Sequence, residues 1–157
     1  LTTARDAKKT RAEIVDMRRR LLDQFGGGGV WNLKHVHGGL IDIEFIAQGL
    51  QLLHASGDPS LLETNTASAL DKLGEAGHLK PAEAEVLRRA CDLYHRMIQL
   101  LRLCITQKFE PEAAPHELRR LVAAAAAVPD VSAAEALLAD TQADVRGLFA
   151  TIFGEVR

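Results

Sequence analysis

Between Asn32 and Leu53 the chain reads NLKHVHGGLIDIEFIAQGLQLL, which sets a lysine, a glycine pair and two carboxylates at the mouth of an apolar helix. Gly38 and Gly39 open backbone angles closed to other residues and leave nothing bulky before the first amides of the helix that follows. Those amides, with the positive end of the helix dipole, favour an anion. Lys34 lies four residues before Gly38, placed to add a full charge at the same spot.

Asp42 and Glu44 are two residues apart, so on a helix they point about 200° away from each other and cannot share one metal or act as a paired acid and base. Asp42, in the first turn, either complements the dipole or binds Lys34. Glu44, Gln48 and Gln51 fall on one stripe, a polar line on an otherwise apolar helix that is expected to face water or a neighbouring domain. His35 and His37 alternate as strand ligands do, but they sit in a loop beside divergent carboxylates, so exposed loop histidines are expected rather than a metal site. His54, His78, His95 and His116 have no partner spacing. Cys91 and Cys104 lie on one predicted helix about 20 Å apart, too far for a disulfide, and are expected to be small core residues.

The elements that must position these groups are all helical. Hydrophobic residues make up 47% of the 157 and aromatics only 4%, so the core is built from Leu, Ala, Ile and Val. That length suits one domain. The predicted architecture is all-α, a bundle of about six helices with one long central helix. A strongly charged helix from about Thr3 to Phe25 carries Ile14, Met17, Leu21 and Leu22 as a modest apolar stripe. It reads as a connecting helix over residues 1–25, with the bundle proper over 26–157. Residues 1–25 hold seven Lys or Arg against four Asp or Glu, and Arg18, Arg19 and Arg20 are expected on a solvated face. Four glycines then end the helix as a flexible loop, with Phe25 and Trp31 packing at its flanks. The second helix, starting after Gly39, is apolar nearly all round and so central. A third runs from about Asn65 to Ala76 and stops at Gly77. Pro81 opens a fourth, whose Leu87, Ala90, Tyr94, Met97, Leu101 and Cys104 form a packing seam. A fifth spans about Pro115 to Ala127, and the last runs from Ser132 to Phe153, with Ser132 and Glu135 at capping-box spacing.

A formal net charge of -2 gives no general attraction to nucleic acid or membranes. With no apolar run of about 18 residues and no signal-peptide pattern, a cytoplasmic protein is expected.

The stretch from Lys34 to Gln48 resembles a motif of the bacterial bifunctional glutamine synthetase adenylyltransferases, K-x-x-x-G-G-(L/I)-x-D-I-E-F-x-x-Q, matched by Lys34, Gly38, Gly39, Leu40, Asp42, Ile43, Glu44, Phe45 and Gln48. The likeness continues more weakly through Pro59-Ser60-Leu61, Thr64 to Leu73, Ala82 to Arg89 and Tyr94 to Leu103. Its Asp-Ile-Glu-Phe form is closer to the second of that family's two catalytic-plus-helical units, the adenylylating one. PII uridylyltransferases share a related helical region, where so full a match is less expected.

The resemblance implies a helical domain behind a nucleotidyltransferase domain of the same chain. The parent moves AMP from ATP to a tyrosine of glutamine synthetase, with Mg2+, under control of the PII signal protein and glutamine. The Gly-Ser and Asp-x-Asp elements that hold magnesium and nucleotide in that family are absent from this sequence, which begins at Leu1. A piece of a longer polypeptide is therefore expected, binding no cofactor and inactive alone. Lys34, Gly38, Gly39, Asp42, Glu44 and Gln48 are its candidates for active-site support or phosphate contact, Asp42 also for orienting a catalytic-domain loop. The alternatives are a freestanding helical interaction module and an effector-binding module for PII or glutamine.

Overall fold

The computed structural model describes residues 6–157, and among these six α-helices form an all-α bundle with no strand. They are α1 (Ala7–Phe25), α2 (Leu40–His54), α3 (Thr66–Glu75), α4 (Pro81–Cys104), α5 (His116–Ala125) and α6 (Val131–Phe153), with a single 3-10 turn at Pro59–Leu61. The expected start near Thr3 lies outside the described residues. Asp6 caps α1, its carboxylate accepting from the amides of Lys8 and Lys9.

Local signals set most boundaries. Asn65 accepts from the Ser68 amide to start α3, and Gly77, at φ +80°, turns the chain out of it. Pro81 opens α4, where Glu83 reaches back to the Lys80 amide. At α6 the expected Ser132 and Glu135 box is replaced. Asp130 caps the helix through the Ala133 amide, while Glu135 accepts from the Trp31 indole.

The helix at the centre is α2, which touches α1, α3, α4 and α6. It is not the long one: α2 has 15 residues and α4 has 24. Leu40, Ile43, Ile46, Ala47 and Leu50 are buried on it, facing neighbours on several sides. At Gly49 a Cβ would lie 2.5 Å from the Phe153 ring and 2.9 Å from Ile14 Cδ1, so the missing side chain lets α1 and α6 close on α2 together.

The α4 seam is buried at Leu87, Ala90, Tyr94, Met97 and Leu101. Cys104 departs from the expectation: it is exposed, because α4 ends there, beyond the packed length, whereas Cys91 is fully buried. On α6, Leu138, Val145, Phe149 and Phe153 enter the core together with Gln142.

Candidate functional site

The turn that leads into α2 is held by four side chains from four helices. Arg18, on α1, is completely buried, which overturns the expectation of a solvated arginine face. It stands four residues after Ile14, on the apolar stripe, so the packing that buries Ile14 carries Arg18 inward as well. Arg19 and Arg20 do face solvent, where both pair with Asp16.

Arg18 meets Asp42 across the interface of α1 and α2, Nε to Oδ1 at 2.5 Å, with both side chains fully buried. Its Nη2 donates to the carbonyls of His35 (3.0 Å) and Val36 (3.1 Å). The other oxygen of Asp42 accepts from the Gly38 amide. A buried ion pair is tolerated when hydrogen bonds satisfy its remaining atoms. The turn backbone supplies them for Arg18 Nη2 and for the second Asp42 oxygen, while Arg18 Nη1 is buried without a partner among the described residues. Asp42 thus binds Arg18 rather than Lys34.

From the other side the Tyr94 hydroxyl, on α4, donates to the Gly38 carbonyl at 2.8 Å. Burial, and after it the charges of Asp42 and Asp144, push this phenol upward, so it stays a donor. Gln142, on α6, donates to the Val30 carbonyl at 2.8 Å. Its own backbone lies over Gly38, where a Cβ would stand 2.0 Å from the Gln142 carbonyl oxygen. Gly38 also takes φ +88°. Gly39 has ordinary angles, φ -78° and ψ -167°, and is glycine for closeness instead: a Cβ would lie 2.5 Å from the Leu33 carbonyl oxygen.

The first amides of α2 are already occupied. Leu40 N donates to the Leu33 carbonyl at 2.9 Å and Ile41 N to the Lys34 carbonyl at 3.0 Å. An anion at this helix mouth would have to displace the chain's own backbone. Lys34 itself is exposed, and its ammonium makes no ion pair among the described residues.

The polar stripe divides. Gln48 is exposed and Glu44 half-buried, but Gln51 turns inward, donating to the Ala47 carbonyl and accepting from the Glu63 amide at 2.8 Å. Local backbone satisfies it, so it faces neither water nor a second domain. Before the turn, the Asn32 amide group donates to the carbonyls of Phe25 and Gly27, pinning the glycine loop. Phe25 packs on His35 with ring centres 5.2 Å apart, and Trp31 meets Phe109 edge-on at 4.6 Å.

Burial lowers the basicity of His35 and His37. At His35 the charges of Lys34 and Arg18 add to it; at His37 Asp42 opposes it. The Asp42 that His37 senses is already committed to Arg18. Two pairings escaped the sequence spacing. His54 and His78 stack with centroids 3.8 Å apart, and Cys91 Sγ lies 3.6 Å from His95 Nδ1. Burial pushes the Cys91 thiol up to about 11, away from nucleophilic duty.

Of the groups holding the turn, Arg18, Tyr94 and Gln142 were not singled out as site residues. The signal for Arg18 was its place on an apolar stripe, and for Tyr94 a hydroxyl within a buried seam.

A family model described as GlnD PII-uridylyltransferase matches residues 10–153. The chain is 44% identical over 154 residues to the bifunctional glutamine synthetase adenylyltransferase/adenylyl-removing enzyme of Rhodopseudomonas palustris, covering 98% of this chain and 16% of that protein. It is 44% identical over 149 residues to the protein of the same name from Bradyrhizobium diazoefficiens, covering 95% and 15%. A third, from Xanthobacter autotrophicus, is 43% identical over 148 residues, covering 94% and 15%. The chain therefore spans about a sixth of the length of these relatives. Alignment over nearly the whole bundle, including the turn and the helices that hold it, makes the chain a member of the GlnD PII-uridylyltransferase family.

Proposed function

We propose that this domain is the helical support of an adenylyltransferase that acts on glutamine synthetase, presenting the Lys34–Gly39 turn in a fixed shape to a nucleotidyltransferase domain of the same chain. The observation that carries the reading is the commitment of the turn's backbone. Its amides and carbonyls are bound by Arg18, Asp42, Tyr94 and the start of α2, so its conformation is set before any partner arrives. Nucleotidyl transfer depends chiefly on positioning and charge stabilisation, so a preorganised neighbour matters without carrying nucleophile or metal. The likeness to proteins named for adenylyl transfer and removal supports this assignment.

In this reading the parent transfers AMP from ATP to a tyrosine of glutamine synthetase in the cytoplasm, with PII as its regulator. The nucleotidyltransferase domain supplies the aspartates, the Mg2+ and the ATP site, and this chain alone does not turn over. Lys34 is the positioning residue, with Glu44 and Gln48 toward the same partner. Gly38, Gly39 and Asp42 shape the turn beneath them.

The test is Lys34→Ala in the intact parent. Transfer should fall about tenfold, equivalent to about 1.4 kcal/mol in the barrier, with unchanged unfolding and recovery by Lys34→Arg. Unchanged turnover would remove Lys34 from the contact.

A further inference from the structure

Lys34 also borders an open cleft of about 400 Å3 between the glycine loop and the segment that follows α4. Leu33, Ile98, Leu101 and Phe109 make its floor apolar, and the indole of Trp31 lines one wall. Three cations from three separate segments stand round it: Lys34 from the turn, Arg102 from the last turn of α4, and Lys108 from the loop beyond. Lys108 arches toward the glycines, its Nζ 3.8 Å from where a Cβ on Gly28 would be.

No carboxylate lines this cleft. Among the described residues none of the three cations makes an ion pair or a side-chain hydrogen bond, whereas Arg19, Arg20, Arg88, Arg89 and Arg120 each pair with an acid close by. Gathering unpaired like charges costs folding energy through mutual repulsion, which an anionic ligand would relieve. The volume lies in the range of small-molecule sites, and an apolar floor under a few charged groups is the usual build of such a site.

We propose that this cleft binds a small oligophosphate, with the phosphates on Lys34, Arg102 and Lys108 and the apolar floor receiving a flat base when the ligand carries one. The site belongs to this chain's own residues and does not rest on the proposed role of the turn in adenylyl transfer. Binding by the chain alone, and its loss on substitution of Arg102 or Lys108, neither of which belongs to the turn, tests the cleft apart from the turn.

The experiment is calorimetric titration of the 157-residue chain with ATP and, separately, with inorganic pyrophosphate. Emission from Trp31, the chain's only tryptophan, serves as a local readout. ATP should bind, and Arg102→Ala and Lys108→Ala should each weaken it about tenfold. Both side chains are exposed, so circular dichroism should show the fold unchanged. Lys108→Arg should retain binding. ATP tighter than pyrophosphate assigns the floor to the base, while equal affinities assign the site to free phosphates alone; both uphold a phosphate site. No heat up to about 1 mM ligand, a very weak interaction, or binding unaltered in the Arg102→Ala/Lys108→Ala double variant, would overturn it.

Discussion

Arg18 and Asp42 face each other at 2.5 Å with neither side chain reaching solvent, one on the first helix of the bundle and the other in the first turn of its central helix. Removing one partner leaves the other charge buried and unpaired, the costly way to break such a pair. Arg18→Met should therefore cost about 3–5 kcal/mol, measured by urea unfolding. Adding Asp42→Asn should recover part of that loss. A single variant within about 1 kcal/mol of the parent would contradict the pairing.

The glycine pair predicts a graded series. Gly38→Ala combines a left-handed φ with a Cβ 2.0 Å from a backbone oxygen that cannot swing away. A loss of about 3 kcal/mol or more is expected. Gly39→Ala keeps ordinary backbone angles, though its Cβ meets the carbonyl oxygens of Leu33, Val36 and Lys34 at 2.5, 3.0 and 3.1 Å, and should cost less than Gly38→Ala. Gly27→Ala, with nothing within 4 Å, should be close to neutral. Equal melting curves for all three would refute the packing described for the turn.

Tyr94→Phe removes the donor to the Gly38 carbonyl and leaves that oxygen buried. The expected cost is about 1–3 kcal/mol, with slowed hydrogen exchange protection lost first at Gly38 and Gly39. If amide protection there is unchanged, the hydroxyl does not hold the turn.

Acidification should destabilise the bundle through its histidines. His35, His37 and His54 all have basicity lowered chiefly by burial, and at His54 the neighbouring His78 and then Arg11 add to it. A folded-state value below the unfolded one means that the unfolded chain takes up protons first. Stability is then full above about pH 6.5, the unfolded histidine value, and falls as the pH drops below it toward the folded values. His54→Gln should flatten that slope, as read from denaturation midpoints between about pH 7 and pH 5. A midpoint that rises on acidification in this window would reverse the sign.

The two cysteines should separate by reactivity. Cys104 is exposed, while Cys91 is buried with its thiol pushed up to about 11. One equivalent of iodoacetamide should add to the native chain, at Cys104, and a second only on unfolding. Intact-mass measurement that finds both modified in the native state would count against a closed core at Cys91.

Helix boundaries were legible because their signals are local. Gly77 ends α3, Pro81 opens α4, and the glycine pair precedes α2 within a few residues of the elements they control. The turn itself was legible only as a sequence of unusual residues. What holds it comes from afar: Arg18 lies 24 residues from Asp42, and Tyr94 lies 56 from Gly38. Charge also misled. Three adjacent arginines look alike in sequence, yet their helical phase sends Arg18 into the core and leaves Arg19 and Arg20 in solvent. Gln51 misled for the converse reason, since a polar side chain that satisfies local backbone can be buried without a partner domain.

The backbone of Gln142 over Gly38 also bears on the order of assembly. The helix that roofs the turn lies well downstream of it in sequence, so during synthesis Lys34–Gly39 must wait, with Arg18 and Asp42 already made, until α6 has left the ribosome. A nascent or truncated chain that stops short of Gln142 has every residue of the motif and no means of closing over it.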